Sequence, residues 1–414
     1  MSHSKLLIIG YVWPEPKSSA AGSRMMQLID LFLKRKFEVI YASPAKFSEN
    51  AENLETLGIT QKQIQVNNSE FDNYLKELKP SHVLFDRFMM EEQFSWRVTG
   101  NCPDAVRILD TEDLHFLRKA RQEAYRENKA FKKEYLYTDM AKREIASILR
   151  SDLSLIISKP EMDLLVNQFK VSKHLLLYLP FLLKPIKETH IQTLPSFKER
   201  QHFISIGNFL HAPNWDKTLY LKQDIWPLIR QELPEAELHI YGAYTSRKVE
   251  QLHNPKQNFF VKGRAENAVE TIQNARVLLG PLRFGAGLKG KFIDAMIAGT
   301  PSITTTIGAE GICGDLPWNG EIANTAEEIA NQAILLYQMP KRWKVAQTNG
   351  FTIINKRFQR KTFAANFFKR LKKIQEDLTK TRRQNFMGEI LMHHTTQSTK
   401  YMSLWIEAKN KLDR

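Results

Sequence analysis

Residues 280–311 read GPLRFGAGLKGKFIDAMIAGTPSITTTIGAEG. A strand ends in Pro281 and Leu282, and Gly285, Gly287 and Gly290 then line a loop leading into a helix. Glycines let backbone N–H groups approach phosphate oxygens closely, and a helix start adds positive potential there. Arg283, Lys289 and Lys291 bring three cations to the same loop, and Asp294, one turn further on, is a candidate acceptor for ribose hydroxyls. The competing reading is a plain strand–turn–helix with solvated lysines. Three cations set among the glycines favour a diphosphate site.

On either side of this loop, short apolar strands alternate with helix-length segments. Strands are expected at 6–12, 38–42, 82–85, 105–109, 153–158 and 174–179, with helices between them. The rhythm lapses over Leu182–Arg200, which carries two prolines and many charges, and restarts at Phe203. Further strands are expected at 203–206, 238–241, 259–261, 277–279 and 302–305, and helices at 217–231, 267–274, 290–298 and 326–337. Strands separated by helices mark parallel, doubly wound sheets. The expected fold is α/β, two Rossmann-like domains facing a central cleft. The divisions are 1–183 for the first domain, 184–200 for a linker and 201–340 for the second domain. Residues 341–414 are expected to form basic terminal helices.

Composition narrows the classes. The chain has 414 residues, 43% hydrophobic and 25% charged, ordinary for a folded protein. Two distant cysteines, Cys102 and Cys313, argue against a disulfide scaffold or a structural zinc site. No apolar run approaches the roughly 20 residues of a membrane helix, and the start of the chain lacks secretory-signal features. A cytoplasmic protein is expected. Net charge is +15, and residues 341–414, with 18 basic and 5 acidic side chains, hold +13 of it.

The 285–301 stretch resembles group 1 (family 4) glycosyltransferases of GT-B fold. Their donor domain carries Gly-x-Gly-x-x-x-x-x-Glu-Ala-Met-x-x-Gly-x-Pro and then Gly-x-x-Gly. Here Gly285-Ala286-Gly287-Leu288-Lys289-Gly290-Lys291-Phe292-Ile293-Asp294-Ala295-Met296-Ile297-Ala298-Gly299-Thr300-Pro301 stands in that place, followed by Gly308-Ala309-Glu310-Gly311. Two further segments carry the likeness: Gly207 to Asn214, and Asp110-Thr111-Glu112-Asp113-Leu114-His115. The family's first glutamate is missing, with Ala286 in its position and Asp294 in the second's. The loop is similar to a subgroup with Gly-Ala-Gly-x-Lys-Gly-Lys, in which lysines face the diphosphate.

The resemblance implies transfer of a sugar from a nucleotide-diphospho sugar with retention of configuration, without a cofactor or bound metal. Arg283, Lys289 and Lys291 would then neutralise the leaving diphosphate. It also implies C-terminal helices that cross back to the first domain. Asp110, Asp113 and His115 become candidates for binding the acceptor hydroxyl or handling its proton, against a helix-capping role for the aspartates. His211, Asn214 and Lys217 are candidate donor contacts, as are Arg264 and Glu310, although Arg264 also reads as a solvated rim charge. Ser18, Ser19, Gly22 and Arg24 form a candidate phosphate or acceptor loop, against an ordinary strand-to-helix connection.

Partners expected on this reading are the donor, a glycan or lipid-linked acceptor and an anionic membrane surface met through 356–383. Nucleic acid is not expected, because no recognition module accompanies the basic end. Two alternatives stand beside transfer: a sugar-nucleotide epimerase of the same fold, and a non-catalytic binding protein.

Overall fold

The computed structural model describes residues 4–412. The first domain is built on seven parallel strands, β1 (Lys5–Ile9), β2 (Glu38–Ser43), β3 (Thr60–Gln63), β4 (His82–Asp86), β5 (Val106–Asp110), β6 (Leu153–Ile156) and β7 (Leu176–Tyr178), in the order β3-β2-β1-β4-β5-β6-β7. Leu6, Leu7, Ile8 and Ile9 are all fully buried, because helices cover both faces of a parallel sheet and every strand position needs an apolar side chain. β1 pairs Leu6 with Val39 on one side and with His82 on the other. The helix Ala20–Lys34 lays Met25, Leu28, Ile29 and Phe32 on this sheet.

The second domain repeats the plan with six strands. They are β8 (Gln201–Ile206), β9 (Leu238–Tyr241), β10 (Phe259–Gly263), β11 (Ala275–Gly280), β12 (Ser302–Thr304) and β13 (Gly320–Ile322), in the order β10-β9-β8-β11-β12-β13. In each sheet the strand order reverses once, between β1 and β4 and between β8 and β11. Ligands of doubly wound sheets bind outside the carboxyl ends of the strands at these reversals. The two reversals bring the 10–19 and 86–87 segments opposite the 207–214 and 281–290 segments.

Several expectations shift. β3 and β13 have no apolar alternation (TQKQ and GEI), so pattern reading passes them over. The expected linker contains a short helix, Glu188–Thr193. The helix expected from Lys217 begins at Ala212 and passes through a π turn, Leu221–Ile225, before Trp226–Glu232. Pro227 has no N–H for the ladder, and the extra residue in that turn accommodates it.

The terminal helices do cross back. Pro340–Arg357 packs Ile353 and Ile354 with Phe292 and Met296 of the second domain. Arg360–Glu376 then places Phe367, Leu371 and Ile374 in the same core as Leu6, Ile8 and Phe32 of the first. The Phe32 and Phe367 rings meet edge-on at 5.6 Å. Beside this return the Leu183 N–H donates to Phe358 O at 2.9 Å, and the Arg360 N–H to Leu183 O at 3.0 Å. No helix among the described residues is long and apolar enough to cross a membrane.

Candidate active site

Three lysines converge at the β8–β11 reversal. Lys289 forms the N-cap of the helix Gly290–Ile297 and Lys291 lies in its first turn. Lys217 comes from the helix after β8. The Lys289 ammonium donates to Gly287 O at 2.9 Å, and that of Lys217 to Ile206 O at 3.0 Å. The Lys291 ammonium donates to Asn214 Oδ1, and Asn214 is itself held by donation to Asn208 O at 2.8 Å. None of the three forms an ion pair among the described residues. Burial lowers Lys289 to about 8 and Lys291 to about 7, and pushes Lys217 well below its ordinary value. Burying unpaired cations costs several kcal/mol per ion unless an anion joins them. Clustered, perturbed cations in a cleft are the mark of an anion site. The Asp294 carboxyl, on the same helix, makes no hydrogen bond or ion pair among the described residues, and burial raises it to about 7.

The loop glycines do something other than the sequence suggests. A Cβ on Gly287 would lie 2.7 Å from the Asp113 Cβ, and one on Gly290 would lie 2.6 Å from the Ala20 Cβ. Their missing side chains admit the first domain. Gly287 also holds a left-handed φ of +63°. The Gly287 N–H donates to Glu161 Oε1 at 2.9 Å, and the same oxygen accepts the Leu114 N–H at 2.9 Å. Arg121 donates to both oxygens of Glu310 at 2.8 Å and to Gly285 O at 2.8 Å. Together with Tyr244, whose hydroxyl donates to the Glu15 carboxylate at 2.7 and 2.8 Å, these contacts hold the cleft closed.

On the first domain, Asp113 and His115 stand together, with the imidazole Nε2 3.5 Å from Asp113 Oδ1. Burial lowers His115 to about 4, so the ring is neutral near pH 7. Asp113 is half-buried, but the Arg118 guanidinium holds it at about 2. The His115 and Phe116 N–H groups donate to the buried Glu144 carboxyl at 3.1 and 2.9 Å, which fixes the start of the helix carrying His115. Asn214 lies inside the cleft with Lys291, and His211 is exposed beside it.

Other expected site residues are already engaged. Asp110 neither caps a helix nor stands free: it is fully buried in an ion pair with Arg24 at 2.7 Å. Arg24 therefore does not face the cleft as expected; it ties the first long helix to β5 and donates to Leu179 O at 2.6 Å. Ser19 caps that helix by accepting the Gly22 N–H at 3.0 Å. A Cβ on Gly22 would meet the Glu15 backbone at 2.4 Å, so that glycine serves a tight turn. Ser18 Oγ is buried without a hydrogen-bond partner. Arg283 is paired with Asp216 at 2.7 Å and lies between the Tyr125 and Tyr220 rings, so its charge is already balanced. Arg264 is exposed at the rim.

Sequence reading missed Glu161, Arg121 and Glu144, which lie in ordinary helices with no motif. It also missed Asp86 and Arg87 at the end of β4. Arg87 and Glu112 adopt left-handed φ values of +70° and +61°, costly for such side chains. Asp86 Oδ1 and Glu112 Oε1 are buried without partners, and burial pushes Glu112 well above its ordinary range. The Asp-Thr-Glu-Asp run at 110–113 was the available signal, and its glutamate was the residue overlooked.

Residues 200–339 match the family model for Glycosyl transferases group 1. A relative described as an uncharacterized 44.6 kDa protein in the cps region of Klebsiella pneumoniae is 24% identical over 318 residues, 71% of this chain and 76% of that protein. A variant of S. aureus TarM in complex with fondaparinux, α-GlcNAc-glycerol and UDP has a TM-score of 0.56 at 15% identity. That alignment covers 72% of this chain and 57% of the TarM chain. Anabaena HepE in complex with UDP and glucose has a TM-score of 0.65 at 11% identity, covering 90% of this chain and all (100%) of HepE. The structural likenesses establish the GT-B arrangement of two Rossmann-like domains.

Proposed function

We propose that this glycosyltransferase, whose second domain is of the group 1 type, moves a sugar from a nucleotide-diphospho sugar to a glycan or lipid-linked acceptor in surface polysaccharide or glycoconjugate synthesis. The observation that carries the reading is the trio of buried Lys217, buried Lys289 and half-buried Lys291, none in an ion pair among the described residues and all converging at the strand reversal. Cleavage of the bond between the sugar and the diphosphate leaves negative charge on the phosphate oxygens. Three ammonium groups and the N-terminus of the helix Gly290–Ile297 stabilise that charge, the work a metal ion does elsewhere, so we assign a metal-independent transfer, with the retention of configuration that the family resemblance implies. Asp294 takes the ribose hydroxyls. Neutral His115, beside Asp113, orients the acceptor hydroxyl. Closure through Glu161 and Arg121 excludes water from the reacting sugar.

UDP-sugars come first among the donors to try, since the TarM and HepE structures contain UDP. The test is a thermal-shift screen against UDP-, GDP-, ADP- and TDP-sugars. A donor at 100 times its dissociation constant stabilises the protein by about 2.7 kcal/mol. No shift with any of them would remove the reading. Release of free nucleoside diphosphate only when an acceptor glycan is present separates transfer from epimerisation.

A further inference from the structure

The last helix, Phe386–Leu412, is seated on the first domain by a side that carries Ser403 and Glu407 together with Gly388, Met392 and Ile406. Ser403 Oγ donates to Asn67 Oδ1 at 2.9 Å, Ser69 Oγ donates to Glu407 Oε1 at 2.6 Å, and Arg97 donates to Ser403 Oγ at 3.3 Å. Asn385, just before it, donates to Leu149 O at 2.6 Å. The apolar side is left outside. Phe386, Met387, Ile390, Tyr401, Trp405 and Leu412 are exposed, Trp405 by 60% and Leu412 by 86%. At 100° per residue these six fall within an arc about 100° wide, over about 39 Å of helix. A helix on a water-soluble protein normally buries its apolar stripe and exposes its polar one. Here an apolar stripe is left outside.

Charge identifies the occupant. Lys400 and Lys409 border the stripe on opposite sides, each with its ammonium near an aromatic ring of the stripe: Lys400 at 5.9 Å from Tyr401, Lys409 at 5.7 Å from Trp405. Glu407 is turned away into the domain contact. An apolar face carrying Trp and Tyr with lysines at its margins suits the headgroup boundary of a bilayer. We infer that this helix lies in the surface of an anionic membrane and embeds its apolar face there. This refines the basic-helix expectation, since Arg382 is paired with Asp152 at 2.9 Å and Arg370 donates to His174 O. The exposed lysines of 361–380 add long-range attraction, and the terminal helix supplies the embedded contact. The lipid-linked acceptor of the proposed function gives this a purpose, but the membrane contact stands on the helix alone.

The test is flotation of the full chain with vesicles of phosphatidylcholine containing phosphatidylglycerol, compared with phosphatidylcholine alone. The wild type floats with the anionic vesicles. The variant Tyr401→Ser, Trp405→Ser, Leu412→Ser loses about tenfold or more of that binding, with unchanged melting temperature and unchanged donor-induced thermal shift. Equal flotation of the variant, or no flotation of the wild type, overturns the inference. A wild-type dimer in solution that the variant converts to monomer also overturns it, assigning the stripe to a second copy of the chain. The donor shift on the same samples reports separately on the proposed reaction.

Discussion

The Glu161 carboxyl of the first domain accepts the Gly287 amide of the second at 2.9 Å, with the same oxygen that holds the Leu114 amide in its own domain. One buried oxygen thus sets the position of the lysine loop relative to the helix that carries His115. Removing it leaves two buried N–H groups unpaired, at about 1–3 kcal/mol each. Glu161→Ala should lower kcat/KM by about tenfold or more, and small-angle scattering should show a more open molecule. An unchanged scattering profile together with unchanged kcat/KM would refute this closing role.

Arg121 and Glu310 make the second bridge, both oxygens engaged at 2.8 Å. The pair is partly exposed, so its contribution to folding is small, about 0–1 kcal/mol. Its contribution to closure is expected to be larger, because the pair is absent from an open cleft. Arg121→Ala should raise KM for the donor severalfold while moving the melting temperature little. The swap Arg121→Glu with Glu310→Arg should recover part of the loss, and no recovery would assign Arg121 another task.

The lysines predict a proton signature. In the free protein Lys289 and Lys291 lose their protons at about 8 and about 7, because burial disfavours the ammonium. A bound diphosphate favours the ammonium and raises both values. Nucleotide affinity should therefore fall as pH rises from about 7 to about 9, and binding near pH 8 should take up protons. Calorimetry in buffers of different ionisation enthalpy measures that uptake. Lys289→Ala with Lys291→Ala should abolish both uptake and donor binding and leave the fold intact. In the empty protein the unfolded chain holds these protons to about 10.5, so stability should rise with pH across the window above about 7.

Asp294 predicts opposite effects on binding and stability. Asp294→Ala should weaken nucleotide binding by about 1.5–3 kcal/mol, the cost of a lost charge-assisted hydrogen bond. Affinity within twofold of wild type would remove the ribose assignment. Because burial raises this carboxyl to about 7, its ionisation costs stability as pH rises from its ordinary value of 3.8 toward 7. Asp294→Asn should therefore raise the melting temperature of the empty protein at neutral pH while weakening nucleotide binding.

The strands with continuous apolar runs were legible from composition alone, since burial on both faces leaves a strong pattern at β1, β4 and β11. β3 and β13 were not, because an edge strand of polar residues carries no periodic signal. The lysine loop was legible from its mixture of glycines and cations, but its logic was read only in part. Gly287 and Gly290 make room for Asp113 and Ala20, and nothing in the local sequence announces a neighbour more than a hundred positions away. Arg24, Asp110 and Arg283 have the right chemistry on the right elements. Their partners come from distant segments that pattern cannot pair, and those partners neutralise them. Glu161 illustrates the converse, a helix glutamate made important by its burial and by the Gly287 and Leu114 amides that it accepts.

The return of the helix Arg360–Glu376 to the first sheet has a consequence for biosynthesis. Phe367, Leu371 and Ile374 complete a core whose other members include Leu6, Ile8 and Val106, so the amino-terminal half cannot finish folding when it leaves the ribosome. The intervening half, with its sheet spanning Gln201–Ile322, emerges whole and can fold while the earlier half still waits for its last helices. A chain released early, before about residue 360, would present an exposed apolar groove along the helix Ala20–Lys34. Such fragments should be caught by chaperones or proteases, leaving the translating cell with whole molecules.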